Sequence, residues 1–237
     1  IELNRTPAVQ YLLRIGDTCL VLAQRLGEWC GHAPVLEEDI AMANIALDLV
    51  GQARALLTHA GRIEGREHDE DQLAYLRDER DYFNLTIAEL PRGDFAFAVV
   101  RNTMVSTLLK LLWQRLAASN DPEVAAIAGK AVKEARYHQQ HSGDWVVRLG
   151  DGTDESRRRT EKALKQLWLY MPELFFSDAV DAEAGASGLG PAWSELRDPW
   201  LAEMQQVLDA AGLAMPKEAA FRSTGKQGVH SEHMGYI

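Results

Sequence analysis

The chain has 237 residues, of which 46% are apolar and 25% charged, an ordinary globular composition with enough length for one substantial core. A formal net charge of −10 argues against a broad phosphate-binding surface, and so against a nucleic-acid partner. The uninterrupted apolar runs are short, and the opening Ile1-Glu2-Leu3-Asn4-Arg5 has no apolar signal core, so no membrane partner and a soluble cytoplasmic chain are expected.

The apolar spacing is helical almost throughout. Leu12, Ile15, Cys19, Leu22, Leu26 and Trp29 step by threes and fours and predict a first helix from about Thr6 to Cys30. Cys19 and Cys30 would then stand ~16 Å apart along its axis, too far for a disulfide, and both are expected as small buried residues in a reducing compartment. Gly31-His32-Ala33-Pro34 ends this helix. A second is predicted from about Pro34 to Ala60, with Glu37, Glu38 and Asp39 in its first turn. Its apolar residues run nearly all the way round, which predicts a place in the middle of a bundle.

A charged linker follows, with short helices around Leu73–Leu76 and Tyr82–Leu90. Asp94 is a plausible N-cap for a third long helix to about Ala118, with a core stripe of Ala98, Asn102, Val105, Leu109, Leu112 and Leu116. Asp121-Pro122 opens a fourth, closed by Gly150, with the stripe Ile127, Ala131, Glu134, His138, His141 and Trp145. A fifth is predicted from Asp154 to about Phe176, a loop over Asp178–Gly190, and a sixth helix from Pro191 to Ala211 that Pro199 kinks or splits. From about residue 213 the composition reads as an extended tail, and the whole chain as one all-α bundle domain, 1–237.

Carboxylate-bridged di-iron bundles draw a Glu from each of two helices and Glu-x-x-His from each of two others. Residues three or four apart share a helix face, which is how a carboxylate and an imidazole reach the same metal pair. Here the candidates are Asp17, Asp48, Glu134 and His138. The imidazole follows Glu134 by four positions instead of three, and Gly51 stands three after Asp48 where a ligand is needed. The third helix, from Phe95 to Ala118, has no Asp, Glu or His, and carries Arg101, Ser106, Lys110 and Arg115 instead. The ligand set is therefore partial. Asp48, Glu134 and His138 are expected to satisfy one another, or Lys110 and Arg101, as a polar network. His230 and His233 are expected at an interface or surface, Arg157-Arg158-Arg159 on a solvated helix face, and Trp168, Tyr170, Phe175 and Phe176 in packing, either within the bundle or against a partner.

Several long stretches match a known family. The segment Arg14–Pro34, the segment Ala43–Arg54, Lys133-Glu134-Ala135-Arg136-Tyr137-His138, and the tail Gly228–His233 strongly resemble the C-subunit family of bacterial ring-1,2-phenylacetyl-CoA epoxidases. With Arg77–Arg80 and Leu149–Asp154 they cover nearly the whole chain in order. The resemblance implies a ferritin-like fold and a catalytically inactive paralogue of a di-iron A subunit, bound to it in a heteromeric core. It implies no cofactor in this chain, di-iron in the A subunit, and further partners in a small B subunit and a flavin/iron–sulfur reductase. Ser106 stands where some relatives are expected to carry an acid, which takes this copy further from metal binding. Two other readings stay open. One is a self-sufficient oxidase with an unorthodox site on Asp48, Glu134, His138 and Asp17. The other is a homomeric scaffold, with a homodimer possible when the chain is alone.

Overall fold

A computed structural model describes residues 1–237 and contains helices and turns but no strands. Helices α1 (Pro7–Gly27) and α2 (Leu36–Glu64) form one antiparallel hairpin. A crossover carrying the short helices α3 (Glu70–Tyr75) and α4 (Thr86–Glu89) leads to a second hairpin, α5 (Phe95–Leu116) and α6 (Pro122–Gly150). Helices α7 (Asp154–Leu167), α8 (Met171–Leu174), α9 (Ala179–Ser187) and α10 (Arg197–Ala210) then wrap this core. Two hairpins joined by one long crossover make the ferritin-like arrangement of four core helices.

The long helices begin where their caps place them. Thr6 accepts the Val9 N–H with Pro7 behind it, Asp94 accepts the Phe97 N–H, and Asp121 accepts from Glu123 and Val124 next to Pro122. Each such cap is worth about 1 kcal/mol against alanine.

The centre of the bundle is α5, with α1 beside it. Every residue is buried from Ala98 to Leu109 in α5 and from Tyr11 to Ala23 in α1. The expectation that α2 is central is corrected. Met42, Ile45, Leu49, Ala53 and Leu56 face the core, while Leu36, Ile40, Leu47 and Val50 face solvent, Leu47 at 68% exposure. An apolar residue on every side of a helix can mean two separate faces, and α2 has two. By length and hydropathy α2 and α5 are each apolar enough to cross a bilayer, a signal the short-run criterion missed; 83% of the α5 window is buried inside the bundle.

Gly51 lies near the middle of α2, where glycine costs about 1 kcal/mol relative to alanine. A Cβ built there meets no atom within 4 Å.

Other boundaries shift. The Asp178–Gly190 segment, expected as a loop, holds α9, started by a capping box in which Asp178 accepts the Val180 N–H and Asp181 reaches back to the Asp178 N–H. The predicted fifth helix stops at Leu167 and passes through a 3-10 turn into α8. Pro199 does not kink the sixth helix. A separate 3-10 turn covers Trp193–Leu196, and Pro199 falls in the first turn of α10, where its missing N–H has no helical acceptor to lose.

The aromatic cluster is internal packing. Trp200 contacts Trp168 and Phe175 at centroid distances of 5.5 and 5.3 Å and donates its Nε1–H to Met104 O at 2.9 Å, although Phe176 is exposed.

Cys19 is buried, and burial pushes its thiol pKa well above the usual range; Cys30, expected buried, is exposed in the turn after α1. A thiol titration of the native protein is therefore expected to count one reactive cysteine, with the second appearing only in denaturant. Two fast thiols in the native state would contradict this placement of Cys19.

From Pro216 onward the chain makes two 3-10 turns and an isolated bridge between Thr224 and Val229. This segment is no loose appendage. Lys226 is buried, its Nζ donating to Phe176 O at 2.7 Å and lying 4.0 Å from the Trp193 ring centroid. Its backbone N–H donates to Glu173, and its carbonyl accepts from Arg14. The His230 side chain is also buried, which corrects its expected place at an interface or surface. Its Nδ1 is 3.0 Å from Glu89 Oε2 and its Nε2 3.0 Å from Tyr82 O. His233 contributes its carbonyl, which accepts from Arg25 at 3.1 Å.

Candidate functional site

The ligand-like residues gather along one seam. Helices α2 and α6 lie side by side outside α1 and α5, and polar pairs link them in antiparallel register. His138 Nε2 is 3.0 Å from Asp48 Oδ2, and Gln52 Nε2 donates to Glu134 Oε2 at 2.9 Å. Farther along, His59 Nε2 is 2.8 Å from Asp121 Oδ2. His141 Nε2 is 2.9 Å from Glu38 Oε2, without the angles of a hydrogen bond. Lys130 lies 3.8 Å from Glu134, and Cys19 Sγ is 3.8 Å from Gln52 Oε1.

Burial lowers the His138 pKa, and the Asp48 carboxylate offsets this only in part. A neutral ring in this position donates its Nε2 proton to Asp48.

Three of the four candidate positions therefore come together, Asp48 with His138 and Glu134 one turn away. Asp17 does not join them. Its carboxylate is fully buried and accepts from both terminal nitrogens of Arg77, Nη1 at 2.9 Å, and from the Phe83 N–H at 2.8 Å. It ties α1 to the crossover. Lys110 and Arg101, offered as partners for the network, are engaged elsewhere. Lys110 reaches Glu203 and Gln139, and Arg101 donates to Leu90 O at 2.7 Å. Burial lowers the Arg101 pKa to about 10, helped by nearby Arg25, and leaves its Nε and Nη2 without partners.

The core face of α6 is also rotated from the predicted stripe. Val124, Ala128, Ala131, Ala135, His138, Ser142 and Val146 are buried, whereas Ile127, Glu134, His141 and Trp145 are only half-buried. Small side chains let α5 approach closely, and the bulky or charged residues are pushed to the seam.

A di-iron centre would sit where α1, α2, α5 and α6 meet. At that junction a cavity of about 10 Å³ is lined by Leu22, Leu49, Asn102, Ser106, Leu109 and His138 among others, with His138 its one metal donor. That volume is at the lower limit for a single water. Ser106 donates its hydroxyl to the Asn102 carbonyl, and Asn102 Oδ1 has no partner. Nowhere in the chain do three His, Cys, Asp or Glu side chains converge closely enough to hold one metal ion. These residues do not fit a pair of irons, which require about six protein ligands.

What the sequence missed is that Asp17, Arg14 and Glu89 are structural anchors. Arg14 is buried, with Nη1 2.9 Å from Asp181 Oδ2 and Nη2 2.6 Å from Asp178 Oδ2. Their partners are far along the chain, and no local spacing marks them.

Comparison with known proteins gives the family. The family model described as phenylacetic acid catabolic protein matches residues 1–237. A relative from Escherichia coli (strain K12), the C-type subunit of 1,2-phenylacetyl-CoA epoxidase, is 48% identical over 225 residues, covering 95% of this chain and 90% of its own. The chain belongs to the phenylacetic acid catabolic protein family.

Proposed function

We propose that this chain is the non-catalytic C-type subunit of a multicomponent phenylacetyl-CoA epoxidase, acting in aerobic phenylacetate breakdown in the cytoplasm. It forms a heteromeric core with a di-iron A-type subunit, to which a small B-type subunit and a reductase are added. The observation that carries this reading is the junction of the four core helices, which presents one metal donor and almost no space. The name of the E. coli relative supports the assembly, and the outward face of α2 supplies a surface for it. Leu36, Ile40, Leu47 and Val50 form a row of exposed apolar side chains on one long helix, the kind of patch that marks a protein interface.

The test is to purify the tagged chain with and without the A-type subunit. Alone, it is expected to hold far less than two irons per chain and to give no epoxide. Coexpressed, it captures the A-type subunit. Leu47→Asp, at a solvent-exposed position, is expected to weaken capture roughly tenfold or more while leaving the Tm of the free chain within a few degrees. Two irons per chain with turnover by the chain alone would replace this reading with that of a self-sufficient oxidase.

A further inference from the structure

Beyond the row of apolar residues, the outward face of α2 has a definite register. Leu36, Ile40, Ala43, Leu47, Val50 and Arg54 alternate in steps of four and three, the seven-residue repeat of a helix that packs along another helix. None of these residues is fully buried within the chain.

Beside this stripe runs a groove of about 260 Å³ between α2 and α6. Gly51, Ala55, Ala126 and Lys130 line it, with Gln52 and Glu134 joined by their hydrogen bond. Gly51 and Ala55 are one helical turn apart, so the wall on the α2 side is nearly bare backbone. No neighbour within the chain requires a glycine at 51, since a side chain there would enter open space. A glycine in a helix interior permits close backbone approach, and at Gly51, unlike the equally open Gly129, the open space belongs to a groove that a helix of another molecule can enter.

Charge narrows the choice of that molecule. Lys133 is exposed beside this part of the face, with Arg54, which also donates to Glu70 at 3.0 Å, and Lys130, 3.8 Å from Glu134, in a chain whose net charge is −10. A partner with carboxylates flanking an apolar seam complements it.

We infer that a helix of the partner subunit, apolar along one seam and acidic on its flank, lies along the α2–α6 groove and approaches closest at Gly51. This rests on the reading above that an A-type subunit is the partner. The groove residues act by excluding bulk: the contact depends on the missing side chain as much as on the apolar stripe.

Gly51→Leu is the discriminating variant, because the free chain has room for it and the added side chain favours the helix. Gly129→Leu is its control. Gly129 is also open, with nothing within 4 Å of a Cβ, but it does not line the groove. Binding of each purified variant to the iron-loaded A-type subunit would be measured by calorimetry, and thermal unfolding on the free chain. Both variants are expected to keep or raise the Tm of the free chain. Gly51→Leu is expected to lose at least tenfold in affinity, and Gly129→Leu to bind like the wild type. A double variant, Lys130→Glu with Lys133→Glu, is expected to bind more weakly and with less dependence on salt.

Equal binding by wild type and Gly51→Leu would overturn the close approach while leaving the A-type partnership intact. Equal losses at Gly51 and Gly129 would overturn it too. Failure of the wild type to bind the A-type subunit would remove the partnership and this inference together. Self-association of the free chain that Gly51→Leu abolishes, with A-type binding unaffected, would reassign the groove to a second copy.

Discussion

Asp17→Ala is expected to cost the fold about 3–5 kcal/mol and to lower the Tm by roughly 6–20 °C. The side chains of Asp17 and Arg77 are both fully buried, and the guanidinium also stacks on Tyr82 at 4.1 Å from the ring centroid. Removing the carboxylate leaves a buried cation with only the carbonyls of Leu73 and Asp81. Breaking such a pair costs more than the pair contributes over an apolar replacement. Asp17→Leu combined with Arg77→Met is therefore expected to recover much of the loss. The measurement is denaturant unfolding of the two single variants and the double. A loss below about 1 kcal/mol for Asp17→Ala would show that Asp17 does not anchor the crossover.

The second large effect is a stability that falls as pH rises, set by His230. Both of its ring nitrogens face acceptors, the Glu89 carboxylate and the Tyr82 carbonyl, so the pair is satisfied only while it holds one proton more than a neutral ring beside a carboxylate. Burial opposes the charged ring, but the Glu89 hydrogen bond and charge outweigh it and raise the His230 pKa above its usual value. The Tyr82 carbonyl and the Glu79 charge add to the same effect, and Arg25 donates nearby to the Glu89 and His233 carbonyls.

A group whose pKa is raised on folding stabilises fully below its unfolded value, about 6.5, and loses that contribution as pH climbs through the folded value. Other groups act outside this window. His138, depressed by burial, lowers stability only below about 6.5, and Lys226, depressed to about 8 by burial, adds stability only above that. Urea midpoints are therefore expected to fall between pH 6.5 and 8. His230→Gln should cost about 1.5–3 kcal/mol at pH 6 and flatten the profile. A wild-type profile that rises across that window would refute the assignment.

Much of the helical skeleton is legible without coordinates. Asp94 and Asp121-Pro122 announce α5 and α6 because a cap is a local event, decided by three or four neighbouring residues. The error over which helix is central has a different origin. Around α2 and around α5 the apolar residues look alike on a wheel, and what separates them is that α7 and α10 come back to cover α5 and not the outward face of α2. Similarly α9 reads as a loop because Ala, Gly and acids dominate it, although Asp178 and Asp181 at capping-box spacing signalled a start.

The site divides the same way. Glu134 and His138 are four apart on one helix, so their shared face is predictable, and Asp48 and Gln52 are four apart on α2. Asp17 reads from the sequence as one more candidate carboxylate, off the cleanest apolar stripe of its helix. Its partner Arg77 stands sixty residues later, in a segment whose path no periodicity fixes. The depleted ligand set was readable because absence on a helix face needs only a list of residues; the replacement of each ligand by a specific structural contact needed the fold.

The buried tail has a consequence for how the protein is made. Arg14 waits for the Lys226 carbonyl 212 residues away, Glu89 for His230 at a separation of 141, and Glu173 for Ser223 and Lys226. A ribosome that has released α10 has released every helix of the bundle, yet these buried charges still lack part of their partners. Such long-range closure delays the final folding step until residues 223–233 have emerged. Until residues 223–233 have emerged, Arg14, Glu89 and Glu173 remain short of partners inside an otherwise helical bundle.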